Sequence, residues 1–236
     1  MPLVIESPSP NFDARPDGQR GTQAIDILLL HYSGMESATA AIARLCDVTA
    51  KVSAHYCVDE DGILFRLVPE DRRAWHAGAA SWAGAGDINA RSIGIELVNP
   101  GHEFGYRSFP EAQMETLIEL AGEILARHPI PPQRVLGHSD VAPLRKEDPG
   151  ELFDWPRLAA AGIGLWPGET EPRDPPGAAE TKRQLARFGY GYLDEDPAAA
   201  ITAFQRHFRP AKLTGEMDPE TAGRLAALLD LVDPSP

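Results

Sequence analysis

Two cysteines in 236 residues are too few for a disulfide framework. Basic side chains are scarce as well: 22 against 35 acidic ones, for a formal net charge of -13. A chain this acidic lacks the basic face needed to bind DNA, RNA or an anionic membrane surface. The N-terminus, Met1-Pro2-Leu3-Val4-Ile5-Glu6-Ser7-Pro8, has no basic n-region and no apolar h-region. No apolar run approaches the roughly 20 residues needed to cross a bilayer. These absences predict a cytoplasmic protein with no membrane span. A periplasmic or envelope location follows instead if the N-terminus has been trimmed. Apolar residues make up 43% of the chain, enough for a packed core. The length fits one ordinary domain plus a small second one.

Ile25–Leu30 is an almost unbroken apolar run, as expected of a buried strand, and His31 stands at its end. Residues 38–46 are rich in Ala and Leu and predict a helix. Ala54–Val58 and Ile63–Val68 flank Asp59-Glu60-Asp61-Gly62, which predicts a hairpin. Residues 74–90, rich in Ala, Gly and Trp, predict a long loop, and such loops are usually functional. Ser92–Val98 is a second buried strand that carries one acid, Glu96. After Pro110, the residues Met114, Leu117, Ile118, Ala121, Ile124 and Leu125 recur at helical steps until Pro129, Pro131 and Pro132. Val135-Leu136-Gly137 is a short strand leading into His138, and a short helix starts near Trp155. The predicted fold class is α/β: a mixed central sheet flanked by helices.

Residues 166–178 contain four Pro and two Gly, the composition of a linker. Beyond it, helical stretches at about 180–188, 197–208 and 218–230 predict a small three-helix domain. The predicted organisation is a first domain over 1–165, a linker over 166–178 and a helical domain over 179–236.

His31, His138 and Asp148 form the candidate site. Two imidazoles and a carboxylate suit a catalytic Zn²⁺, which takes three protein ligands and leaves a position for water. Glu96, an acid inside an apolar strand, must meet a cation or carry a raised pKa. Either suits a general base. Lys146 would place an ammonium where it can stabilise a developing oxyanion. Spacing alone leaves plainer readings open: hydrogen-bonded structural histidines, an ion-paired Glu96 and a solvated Lys146.

Six segments narrow the choice. In order they are His31-Tyr32-Ser33, Val52-Ser53-Ala54-His55-Tyr56, Ala74-Trp75-His76-Ala77-Gly78, Ser92-Ile93-Gly94-Ile95-Glu96-Leu97, Gly137-His138-Ser139-Asp140 and Lys146-Glu147-Asp148-Pro149-Gly150. Together, over roughly residues 20–165, they resemble the zinc-dependent N-acetylmuramoyl-L-alanine amidases of the AmpD and AmiD type. These share a fold with certain phage lysozymes and with peptidoglycan recognition proteins. The resemblance implies a sheet with a zinc cleft at one face, one Zn²⁺ per chain and a peptidoglycan or muropeptide substrate. It implies cleavage of the amide between N-acetylmuramic acid and L-alanine. Carried over by position, His31, His138 and Asp148 are the zinc ligands, and Glu96 and Lys146 the catalytic pair. The alternative is a recognition protein that holds muropeptides without cutting them, although such relatives typically lack a full ligand set.

Trp75 and His76 either line the cleft as substrate-binding residues or pack beneath the loop. Asn89 either hydrogen-bonds substrate or shapes a turn. Ala54 stands where some relatives carry a catalytic tyrosine, so no such role is carried over. His55 reads as a core histidine, and His102, His128 and His207 as surface groups. Cys46 and Cys57 read as small buried apolar residues, with a disulfide left open. Ala203-Phe204-Gln205-Arg206 and Leu213-Thr214-Gly215-Glu216-Met217-Asp218 resemble a three-helix peptidoglycan-binding module, or else belong to a helical appendage that only packs. The Asn99-Pro100-Gly101 loop resembles AmiD-type enzymes and favours polymeric substrate. We expect a monomer.

Overall fold

The computed structural model describes residues 2–18, 21–22 and 25–232. Residue 1 and residues 233–236, the outer ends of the two predicted domains, lie outside the described residues. Strands are β1 (Val4–Glu6), β2 (Phe12–Ala14), β3 (Asp17–Gly18), β4 (Gly21–Thr22), β5 (Ile27–Tyr32), β6 (Tyr56–Val58), β7 (Leu64–Arg66), β8 (Arg72–Ala74), β9 (Ser92–Leu97) and β10 (Val135–Gly137). Helices are α1 (Ala38–Cys46), α2 (Ile88–Arg91), α3 (Gly101–Phe104), α4 (Glu111–Arg127), α5 (His138–Val141), α6 (Trp155–Ala160), α7 (Ala178–Phe188), α8 (Pro197–Phe208) and α9 (Pro219–Val232).

The main sheet has six strands in the order β1-β7-β6-β9-β5-β10. Only β6 and β7, the predicted hairpin, run antiparallel; the other neighbours are parallel. A parallel strand needs both faces covered, so its sequence is continuously apolar. The run from Ile27 to Leu30 shows how that works. Leu28 and Leu30 join Ile93, Ile95 and Val135 under α4. Ile27 and Leu29 point the other way, joining Leu136, Trp82 and the C-terminal helices.

Pairing then sets the position of the polar residues. His31 lies opposite Glu96, and Leu30 lies opposite Gly137, the residue before His138. Three adjacent parallel strands therefore end at one edge, each delivering a polar side chain. In parallel α/β sheets this carboxyl edge is where ligands bind. By alternation His31 and Glu96 share the face of Ile27 and Leu29, away from α4.

Helix α4 is amphipathic as the spacing predicts. Met114, Leu117, Leu120, Ala121 and Ile124 are buried, while Ile118 and Leu125 pack at the margin. Three pairings involve strands that were not predicted: β1 with β7, β2 with β8 at the head of the 74–90 segment, and β3 with β4. These strands are short and half polar, so their sequences carry little periodic signal.

The C-terminal helices pack directly on the first domain. One apolar cluster runs from Ile27 and Leu29 through Trp82 to Phe188, Phe204, Leu225 and Leu228. Trp82 is 1% exposed, sits edge-on to Tyr190 and Phe188, and bridges to Tyr190 in backbone pairing. His207, expected at the surface, is buried instead. Its ring stacks on Trp155 at 3.6 Å, and its Nδ1 lies 2.7 Å from Asp140 Oδ2. Tyr190 donates to the other oxygen of Asp140 at 2.6 Å. His128, also expected at the surface, is half-buried against Glu70, whereas His102 is exposed. Cys46 and Cys57 are free thiols, with Cys57 fully buried.

Leu117→Ala should lower stability by about 2–5 kcal/mol, since a fully buried leucine at the centre of α4 would leave a cavity against the sheet. Urea unfolding with an unchanged slope would show it; a loss below about 1 kcal/mol would show that the α4 face is not tightly packed.

Candidate metal centre and cleft

His31, His138 and Asp148 meet at one point. His31 Nδ1 is 3.0 Å from His138 Nδ1 and 2.9 Å from Asp148 Oδ2, and His138 Nδ1 is 3.1 Å from the same oxygen. All three side chains are buried. Each comes from a different element: the end of β5, the first residue of α5, and the loop after it. The Asp148–Pro149 peptide is cis. Ser139 N donates to Asp148 O at 2.9 Å, which ties the loop to α5.

Hydrogen bonding around the cluster assigns the ring protons. Ser92 donates its one hydroxyl proton to Ile88 O at 2.7 Å, so its Oγ must accept from His76 Nε2 at 3.2 Å. His76 Nδ1 is then an acceptor, and it faces His31 Nε2 at 3.0 Å. The His31 proton therefore sits on Nε2, which leaves a lone pair on Nδ1. His138 Nε2 faces the Ala77 carbonyl at 3.0 Å, and a carbonyl only accepts. Arg145 donates to the same carbonyl. A neutral His138 that donates to this carbonyl presents a lone pair on Nδ1. Burial, with the neighbouring His138, lowers His31 to about 4, so at neutral pH it carries a single ring proton. Burial and His31 hold His76 neutral too.

With both imidazoles neutral and protonated on Nε2, three acceptor atoms crowd within 3.1 Å. This arrangement repels itself unless a cation is present. A tetrahedral ion with arms of about 2.0 Å spaces its ligand atoms by roughly 3.3 Å, close to what these atoms show. Donor chemistry and spacing both fit a divalent transition metal, and the three residues form a cluster able to hold one.

Glu96 stands beside the cluster in the register of His31. Its Oε2 is buried without a hydrogen-bond partner among the described residues. Burial pushes its carboxyl well above the usual range; the charge of Asp148 adds to this and Lys146 opposes it. A carboxyl so placed binds a proton readily. Lys146 is half-buried and lines the same cleft, whose volume is about 690 Å³.

Trp75 also lines this cleft, with its indole N–H donating to Asp13 at 2.8 Å. His76 reaches the cleft floor, but both its ring nitrogens are engaged, one holding His31 and the other Ser92. Asn89 is buried, and its Oδ1 accepts from the backbone N–H groups of His76 and Ala77 at 3.0 and 2.8 Å. Its carbonyl oxygen is spent inside the protein, fixing the loop that carries His76. His55 is fully buried, as expected of a core histidine, and accepts from Gly94 N.

The supporting role of His76 was not read from the sequence. Gly94 was the available signal, since glycine inside a buried strand marks a close approach. A Cβ there would lie 2.5 Å from the His76 ring. The missing side chain is the space that lets His76 lie under His31.

Comparison with known proteins agrees with this geometry. Residues 21–151 match the family model described as N-acetylmuramoyl-L-alanine amidase, and residues 175–225 match one for a peptidoglycan binding domain. The chain is 37% identical to N-acetylmuramoyl-L-alanine amidase AmiD of Escherichia coli, over 96% of this chain and 90% of that protein. It is 34% identical to the 1,6-anhydro-N-acetylmuramyl-L-alanine amidase AmpD of Salmonella typhimurium, over 65% of this chain and 87% of that protein. Among solved structures, E. coli AmiD with anhydro-N-acetylmuramic acid-L-Ala-D-gamma-Glu-L-Lys superposes with a TM-score of 0.79 at 38% identity, covering 92% of this chain and 93% of that one. Pseudomonas aeruginosa AmpDh3 superposes with a TM-score of 0.80 at 32% identity, covering 93% and 96%. The chain therefore belongs to the N-acetylmuramoyl-L-alanine amidase family.

Proposed function

We propose that this chain hydrolyses the amide between N-acetylmuramic acid and the L-alanine of the stem peptide, with one Zn²⁺ per chain. The observation that carries this reading is the trio of unprotonated donors, His31 Nδ1, His138 Nδ1 and Asp148 Oδ2, beside a buried acid with a free oxygen. These three atoms would hold the zinc. Zinc bound there supplies acidity to a coordinated water and polarises a carbonyl.

The chain's own groups do the rest. Glu96 Oε2 accepts the proton of the attacking water. Protonated Glu96 then returns it to the leaving L-alanine nitrogen, because an amide departs only as its amine. Lys146 supplies an ammonium against the charge that develops on the scissile carbonyl oxygen. Trp75 offers an aromatic wall for sugar or peptide. His76 and Asn89 act behind the site: Asn89 fixes the loop, and His76 holds His31 in its metal-facing tautomer. A complete donor set with an adjacent base favours hydrolysis over simple recognition of muropeptides.

The two family matches support a division into a catalytic part ending near residue 165, a connection over 166–178 and a peptidoglycan-binding part beyond it. A second site for the same polymer would raise the local concentration of substrate at the cleft. Mass spectrometry of the products from sacculi and from soluble anhydro-muropeptide tests the activity. The expected product is a peptide beginning at L-alanine, and cleavage within the stem would overturn the assignment.

Glu96→Ala should keep one zinc per chain and lose turnover by roughly 100- to 10,000-fold. Hydrolysis retained in that variant, with metal content confirmed, would remove Glu96 from the chemistry.

His76→Phe should weaken zinc affinity by about 10- to 100-fold, read by competition with a chelating dye. Unchanged affinity would show that His31 needs no support from behind.

A further inference from the structure

Helix α8 belongs to the C-terminal unit, yet it forms one wall of the catalytic cleft. Ala199, Thr202 and Arg206 all line it. They are spaced by three and four residues and so share one helix face. The cleft also collects cations on a chain that is acidic overall. Arg44, Arg145, Lys146 and Arg206 border it. Three of the four have an evident place. Arg44 is exposed on α1, the Arg145 guanidinium donates to the Ala77 and Ala79 carbonyls, and Lys146 stands with Glu96 and Asp148.

Arg206 has none. Its side chain is 9% exposed, and its Nε is buried without a hydrogen-bond partner among the described residues. Nearby acids sit too far for a hydrogen bond: Glu147 Oε1 is 3.7 Å from Nη2, and Glu151 Oε2 is 3.8 Å from Nε. Glu151 is also shared with His102 at 3.2 Å. A buried guanidinium whose Nε and Nη2 edge is only loosely met is built for a planar acid arriving from outside, because that edge binds a carboxylate bidentately.

We infer that Arg206, carried into the cleft by the C-terminal unit, is a specificity residue that binds a carboxylate of the stem peptide. The inference rests on the amidase reading for its substrate. The ligand in the AmiD complex contains a γ-linked glutamate. A γ linkage leaves the α-carboxylate of that residue free, and it is the second stem residue on the nitrogen side of the scissile bond. The C-terminal carboxylate of the third residue is the other anionic group within such a fragment.

Three substrates separate these sources in the zinc-loaded full chain: the acidic anhydro-muropeptide, its isoglutamine form with the α-carboxylate amidated, and a form amidated at the C-terminus of the third residue. Wild-type protein should show a KM about 10- to 100-fold lower for the acidic form than for one of the amidated forms. Arg206→Gln should abolish that gap by raising KM for the acidic form alone, with kcat within about twofold. Arg206→Lys should keep part of it. A rise in KM shared equally by all three substrates would mark a structural arginine and overturn the inference, as would no change at all. Should Arg206→Gln fail to fold, the wild-type comparison decides alone, since equal KM on all three forms also overturns it. If no substrate is cleaved, the amidase reading fails by itself, and calorimetric binding of the same three compounds still reads the carboxylate preference.

Discussion

Everything in this site follows from crowding three lone pairs into a space that would suit a proton or a metal. Two imidazole nitrogens and a carboxylate oxygen face each other at 2.9–3.1 Å, and the surrounding hydrogen bonds keep ring protons out of the gap. Such a cluster is poor design for a hydrogen-bonded core, where donors and acceptors should pair. It is good design for holding a cation without rearrangement. The strands hold it rigidly: His31 ends β5, Glu96 lies opposite it on β9, and His138 follows β10. Ligands fixed to strand ends lose little conformational freedom when an ion arrives.

The support behind the cluster runs deep into the sheet. His31 leans on His76, His76 on Ser92, and Ser92 on the backbone of α2. Asn89 holds the loop that brings His76 in, and Gly94 makes room for its ring. Their effect is to choose a tautomer, and the tautomer decides whether Nδ1 can coordinate at all. A loop dense in small residues, from Ala74 to Ala90, is what lets the backbone approach closely enough.

Sequence made the first layer of this legible. An apolar run that stops at a single histidine or hides a single glutamate is conspicuous, so His31, His138 and Glu96 stood out, and the α4 spacing and Asp59–Gly62 hairpin did too. The second layer was not legible because it depends on gaps and on distant partners. His76 meets His31 across 45 positions, and Asn89 works through backbone N–H groups that no side-chain pattern reveals. His207 looked like one more polar residue on an amphipathic helix. Its burial arises from Trp155 and Asp140, which belong to the other side of the Pro-rich segment. β1 and β2 escaped for the opposite reason: three-residue strands pair by backbone alone and need no pattern.

The C-terminal helices carry the last consequence. A tethered binding module needs only a flexible connection, and its attachment need not involve the enzyme's core. Here the contact is apolar and extensive, with Trp82, Phe188, Phe204 and Leu228 in one cluster with the sheet. It is also polar at a sensitive place. Tyr190 and His207 bind both oxygens of Asp140, and Asp140 in turn accepts from Gly137 N, one residue before His138. The backbone that presents His138 is thus held partly by groups from the C-terminal helices. That unit and the first domain make one cleft, and α8 reaches its wall. An arrangement of this kind ties the packing of the C-terminal helices to the shape of the cleft, because the same helices build both.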